Sequence, residues 1–202
     1  MDHYYTIERQ STAEFKDRGS RFIAYAFPVS DAESFKKQLQ ALKKEHGKAV
    51  HHCFAYRLGF AGDQFRANDD GEPSGSAGKP ILGQIDSKKL TNVGIVVVRY
   101  FGGSLLGVPG LINAYKTAST LALQTVPIIQ KPVMSDIELQ FEYNQLNDIM
   151  VVLKQCHCVV VKQDLGLFST LHFQVPRHRE EEVVYRVGEL RNVEIKKILP
   201  SR

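Results

Sequence analysis

Two glycine-rich stretches hold most of the residues whose types and spacing could do chemistry. The first, NDDGEPSGSAGKP, runs from Asn68 to Pro80 and places Asp69, Asp70 and Glu72 within four residues of one another, around Gly71, Pro73, Gly75 and Gly78. Clustered carboxylates offer the several oxygen ligands that a hard cation prefers, so a divalent cation near Asp69, Asp70 and Glu72 is one expectation. The spacing is not that of a calcium loop, which needs acidic or amide residues at alternate positions and a closing Glu. It is not a phosphate loop either. Gly78-Lys79 fits that motif, but its first glycine falls on Pro73, and Pro80 stands where a Ser or Thr would hold magnesium. The alternative is a tight structural loop with its acids in water.

The second stretch, RYFGGSLLGVPGLINAY, runs from Arg99 to Tyr115. Free N–H groups in a glycine-rich turn and at a helix start make a natural anion site. Arg99, Tyr100 and Phe101 add a charge and a stacking face suited to a nucleotide or RNA base. The glycines (Gly102, Gly103, Gly107, Gly110) do not follow the dinucleotide fingerprint, being adjacent and then four and three apart. Read without a ligand, they permit close packing of strand and helix. A third group, His51-His52-Cys53, lies in a strand, where alternation puts His51 and Cys53 on one face and His52 on the other. Cys53 beside a histidine could form a thiolate nucleophile or a pair of metal ligands. The run Cys156-His157-Cys158 lacks the second ligand pair of a structural zinc site.

Strands and helices must position these groups. Tyr4–Arg9, Arg21–Val29 and Val50–Leu58 read as strands, and VGIVVVRY (Val93–Tyr100) has the continuous apolar pattern of a strand buried on both faces. Between them, Ser30 with Glu33 forms a capping box for a helix through Phe35, Leu39 and Leu42, with Gly47 at its C′ position. Gly59–Ser76 is a long polar segment, and Leu111–Val126 reads as a helix on the sheet. Pro127 and Pro132 bracket a link. Beyond it come strand Ser135–Tyr143, helix Asn144–Gln155, strands Cys158–Asp164 and Phe168–Val175, helix Arg179–Leu190 and strand Asn192–Leu199. That order, β-α-β-β-α-β, is ferredoxin-like.

The 202 residues therefore divide into a domain over residues 1–130 and one over 131–202, giving an α+β protein. The net charge of +4 lies wholly in the first, which has sixteen Lys and Arg against twelve Asp and Glu. That excess tolerates a phosphate-bearing partner without demanding one. No apolar run approaches the roughly 20 residues of a membrane span, and MDHYYTIERQ has neither the basic start nor the apolar core of a signal peptide. Three cysteines form no disulfide framework, so the expected location is a reducing cytoplasm.

Taken together, HHCFAYRLG, DDGEPSGSAGKPIL and VVVRYFGGSLLGVPGLINAY resemble the bacterial YigZ/YvyE-like branch of the IMPACT family over essentially the whole chain. The resemblance implies a first domain like the second domain of ribosomal protein S5, an α/β sandwich also seen in elongation factor G. It implies a ferredoxin-like second domain similar to the last domain of that factor. For bacterial members it implies nucleic-acid or ribosome binding and no established reaction. Eukaryotic relatives act in translational control through an additional domain that these 202 residues do not include. One departure stands out: the family reads G-T-G-G-L where this chain has Gly107-Val108-Pro109-Gly110-Leu111, losing a hydroxyl and an N–H.

Three functions follow as expectations. The first is an RNA- or ribosome-binding regulator of translation using Arg99, Tyr100, Phe101, Gly102, Gly103, Lys79, Gly107 and Gly110. The second is a hydrolase of a small phosphorylated or peptide substrate, using a metal at Asp69, Asp70 and Glu72 or a nucleophile among His51, His52 and Cys53. The third is a protein-interaction module. Composition is silent on oligomeric state and on the role of the second domain.

Overall fold

A computed structural model describes residues 2–198. The chain forms two compact units, one over Tyr4–Lys131 and one gathering residues 132–198 with residues 2–3.

The larger unit runs β1 (His3–Ile7), β2 (Ser11–Asp17), β3 (Ser20–Pro28), α1 (Ala32–Glu45), β4 (His51–Leu58), β5 (Gln64–Asn68), α2 (Gly78–Ser87), β6 (Val93–Tyr100), α3 (Gly107–Gln124) and β7 (Ile128–Pro132). Five strands make one antiparallel sheet in the order β2-β3-β6-β4-β5, and β1 pairs with β7. Strand β6 is central, and seven of its eight residues are buried. Its Val93, Ile95 and Val97 join the core under α2 and α3; Val96 and Val98 join the core under α1. Helices thus cover both faces of the sheet, which explains the unbroken apolar run of β6.

Several elements differ from the sequence expectation. Helix α1 is capped one residue later than expected, by Asp31 rather than Ser30. Asp31 Oδ1 accepts from Ser34 N at 2.7 Å, and Ser34 rather than Glu33 closes the box. Helix α3 starts at Gly107, four residues before Leu111. Strand β5 and helix α2 emerge from stretches without clear periodicity. GKPILGQIDS holds two glycines and a proline, poor helix formers, and its first N–H groups are held by the Asp69 carboxylate described below.

The smaller unit runs β8 (Met134–Phe141), α4 (Leu146–Gln155), β9 (Val159–Asp164), β10 (Ser169–Pro176), α5 (Glu180–Gly188) and β11 (Val193–Ile198), with short 3-10 turns leading into both helices. Its sheet is antiparallel in the order β11-β8-β10-β9. Ile137, Leu139, Phe141, Leu171, Phe173 and Val175 face Ile149, Leu153, Val183 and Val187 of the helices in one core. Leu199, expected at the end of the last strand, lies outside the described residues.

Candidate functional site

Strands β4 and β6 pair so that His51 stands opposite Arg99 and Cys53 opposite Val97. Alternation sends His51, Cys53 and Arg99 to the α2/α3 face, and His52 and Tyr100 to the α1 face, as expected of a strand. On the α2/α3 face a buried polar network forms. Arg99 Nη1 donates to Glu72 Oε1 at 2.6 Å, and Tyr115 Oη donates to the same oxygen at 2.7 Å. Glu72 Oε2 lies 3.9 Å from His51 Nε2. His51 Nδ1 sits 2.7 Å from the carbonyl oxygen of Asp70, which can only accept, so Nδ1 carries the proton in the neutral ring.

Arg99 therefore points inward. Its side chain is 7% exposed, its Nε has no hydrogen-bond partner, and its guanidinium lies over the rings of Phe22 and Phe101, at 5.4 and 5.7 Å from their centroids. The aromatic faces offset part of the missing hydrogen bond. Such a guanidinium positions loops; it does not reach out to a polymer. Cys53 is fully buried, with Sγ 3.0 Å from the carbonyl oxygen of Asp69 and 3.3 Å from Tyr115 Oη. Burial is the main force pushing its thiol far above the ordinary range, so it supplies no thiolate near neutral pH. Tyr115 is pushed up as well, first by burial and then by Cys53 and Glu72.

The acids of the first glycine-rich stretch are each held by protein groups and do not converge. Asp69 Oδ1 accepts from Ala77 N (3.0 Å) and Gly78 N (2.7 Å), and its Oδ2 accepts from Gly75 N (2.9 Å). Ala77 N and Gly78 N open α2 and Gly75 N lies in the turn just before it, the kind of N–H groups a phosphate loop offers to phosphate. Here the chain's own carboxylate fills the nest. Burial raises the Asp69 pKa, but the three N–H bonds and Lys79 outweigh it, leaving the net shift downward. Pro80 loses nothing in that first turn, where its N–H would have no helical partner. Asp70 accepts from His52 N at 2.7 Å and pairs with Lys43 at 3.2 Å. Each of the three carboxylates thus has its own protein partners, and among the described residues no three His, Cys, Asp or Glu side chains converge as a metal ligand set.

The second stretch is built differently. Gly102 packs backbone to backbone on Gly19, in the turn between β2 and β3. A Cβ on Gly102 would overlap the Gly19 backbone, and one on Gly19 would lie 2.8 Å from Gly102 O. Gly102 N also donates to Ser20 Oγ at 3.1 Å, and Arg18 Nη1 to Leu105 O at 3.3 Å. Gly103 and Gly107 have φ of 89° and 71°, the left-handed region that favours glycine. Residues 101–105 and 107–109 are exposed. Helix α3 has eighteen residues, no side-chain cap and no acid in its first turn. Pro109 falls in that turn, so its missing N–H is one the helix does not use.

On the α1 face, His46 bridges two tyrosines, with Nε2 2.7 Å from Tyr25 Oη and Nδ1 2.8 Å from Tyr100 Oη. Arg21 lies 5.7 Å from the centroid of the Tyr100 ring. His52 is buried here with Nε2 unpartnered, and burial is the main cause holding its pKa below the usual histidine range. Lys36, Lys37, Lys43, Lys44 and Lys48 are exposed on or just beyond α1.

The structure thus brings together His51, Cys53, Glu72 and Arg99, and sets His52 and Tyr100 behind the sheet. Lys79 stays exposed on α2, and Phe101, Gly102, Gly103 and Gly107 form an outer turn. Sequence reasoning missed Tyr115, Arg18 and His46. Tyr115 carried a signal: it is a polar aromatic one helical turn past Leu111, on the buried stripe. Arg18 and His46 carried none, since both matter through long-range contacts. In the smaller unit, Cys156 is buried and Cys158 half-buried. Burial, first among several causes, raises the Cys158 thiol to about 12.

A two-layered helix cover on this sheet, with the Gly19–Gly102 contact and the Asp69-filled loop, defines the kind of domain found here. A match to the Impact N-terminal domain runs over residues 18–123, more than half the chain. The chain is 36% identical over 165 residues to IMPACT family member YigZ of Escherichia coli (strain K12), covering 81% of each. It is 34% identical over 164 residues to IMPACT family member YvyE of Bacillus subtilis (strain 168), covering 78% of this chain and 76% of the relative. A crystal structure of a hypothetical protein, 29% identical, superposes with a TM-score of 0.77 over the full length of both chains. The chain belongs to the IMPACT family. Among the described residues no helix is long and apolar enough to cross a membrane.

Proposed function

We propose that this protein is a cytoplasmic, non-catalytic RNA-binding regulator linked to translation, acting on or near the ribosome. The observation that carries this reading is where the excess charge goes. Lys37 and Lys44 stand seven residues apart along α1, with Lys36 and Lys43 beside them and Lys48 just beyond its end, all exposed. Among the described residues Lys37 pairs with Glu33 and Lys43 with Asp70; Lys36, Lys44 and Lys48 have no ion pair. Such a ridge suits a phosphate backbone. At its end stands the half-exposed Tyr100, a ring that suits a base, with Arg21 over it held by Glu14.

The fold supports the same reading. The strand order β11-β8-β10-β9 with helices on one face is that of a ferredoxin-like unit. The family resemblance implies a first domain like the second domain of ribosomal protein S5 and a second like the last domain of elongation factor G, which is what suggests a link to translation. The hydrolase reading loses the groups it needs, because Cys53 is sealed and Asp69, Asp70 and Glu72 are each held by the protein.

The test is binding to ribosomes and to a structured RNA at two salt concentrations. Affinity is expected to fall with salt, with a slope set by the phosphates contacted. Reversing Lys36, Lys44 and Lys48 to Glu should weaken binding about tenfold or more and flatten that slope. No binding at low salt ends the proposal.

A further inference from the structure

We infer that the apolar surface around the start of α3 is a docking site for an acidic amphipathic helix of a partner protein. Single exposed apolar side chains are ordinary, but clusters are not. Here four fall within residues 101–112: Phe101 is 49% exposed, Leu105 85%, Val108 46% and Ile112 38%. They lie on the turn and helix that cover the α2/α3 face of the sheet, away from the α1 lysines, so the inference is independent of RNA binding.

Charge selects the partner. From Arg99 to Gln124 there is no Asp or Glu, and the first turn of α3 has no acid and no side-chain cap. Arg18 stands at this turn through its bond to Leu105 O, with Nη2 3.5 Å from where a Cβ on Gly110 would lie. Lys116 extends the Val108–Ile112 row by one more helical turn and is exposed. The acids on the neighbouring hairpin are engaged, Asp17 with Arg18 and Glu14 with Lys16 and Arg21. Arg18 is balanced by Asp17, so among the described residues Lys116 is the rim's cation without an ion pair. An apolar centre beside it suits a ligand with an apolar stripe and acidic flanks.

Backbone geometry selects a helix. Strand β6, which leads into the turn, already has β3 and β4 on its two edges. The open sheet edges at β2 and β5 carry none of the four patch residues, so a strand added there would leave the patch uncovered. With one aromatic in the patch, no aromatic-lined groove exists for an extended proline-rich segment. Side-chain packing against a helical stripe is the recurrent mode that remains, and Val108 and Ile112, one turn apart, offer the matching spacing.

The experiment uses the full chain and a fluorescein-labelled peptide of about five helical turns, with Leu on one stripe and Glu on its flanks. A peptide of the same composition with the Leu residues scattered is the control. Fluorescence anisotropy should show saturable binding of the striped peptide, weakened about tenfold or more by scattering or by Leu105→Asp with Val108→Asp. Lys116→Glu should weaken it a few-fold, more at low salt. Leu105 is too exposed for its loss to unfold the chain, and circular dichroism checks this. Equal binding of the two peptides, or unchanged binding by the Leu105→Asp/Val108→Asp variant, overturns the inference. So does a variant that loses RNA binding while keeping the peptide, since the patch is then an RNA surface.

Discussion

The two glycine-rich stretches look alike in the sequence and behave as opposites in the structure. In the Asp69–Pro80 stretch, every carboxylate is already bound by the protein: Asp69 fills the N–H nest of α2, Asp70 takes His52 N and Lys43, and Glu72 takes Arg99 and Tyr115. In the Arg99–Gly110 stretch, Arg99 turns inward to that closed region, while Phe101 to Leu105 stay outside. The first holds the fold and the second presents a surface. Glycine content does not distinguish the two roles; the presence of an internal carboxylate does.

Mutations can break this contrast, and the largest effect is expected at the Arg99–Glu72 pair. Glu72→Ala leaves a buried guanidinium without its carboxylate and should cost about 3 to 5 kcal/mol in urea unfolding. Replacing both partners with apolar residues of similar volume should recover most of that loss. Full stability in the single variant would show that the closed region is not closed.

Asp69→Asn should cost about 2 to 3 kcal/mol, because its amide nitrogen would face N–H donors. Its effect depends on pH. The folded-state pKa of Asp69 is lowered, so its contribution is present above the unfolded carboxyl value of about 3.9 and is lost as pH falls through the folded one. Unfolding measured from about pH 6 down to pH 2 should show the gap between wild type and variant narrowing at the acid end.

Gly102→Ala should cost about 1 to 3 kcal/mol, since its methyl group meets backbone rather than a movable side chain. The amide signals of Arg18 to Ser20 should shift with it in a heteronuclear NMR spectrum. Leu105→Ser should change stability by no more than about 0.5 kcal/mol, although it removes part of the proposed docking surface. A larger loss would place Leu105 in the closed region after all.

Much of the fold was legible because period and composition agree. The unbroken VGIVVVRY is central and buried, and the β-α-β-β-α-β order of the smaller unit follows its alternations. What was not legible depends on contacts across the chain. Helix α2 has poor intrinsic propensity and forms on a carboxylate from Asp69, at least six residues away from each N–H it accepts. Asp31 displaced Ser30 as the cap because either type serves and a one-residue choice has no periodic signal. Arg99 was legible as the special residue of its stretch, but its inward direction was not. Strand alternation gives a face, and only the presence of Glu72 beneath that face decides whether a charge can stay there.

The contact of Gly19 with Gly102 has a consequence for recognition. A turn of consecutive exposed residues, Phe101 to Leu105, would ordinarily lose chain freedom on meeting a partner, and that loss would subtract from affinity. Here it is held at Gly102 by backbone packing and at Leu105 by Arg18. The ordering is completed during folding, so the proposed helical partner would pay little of that cost on docking.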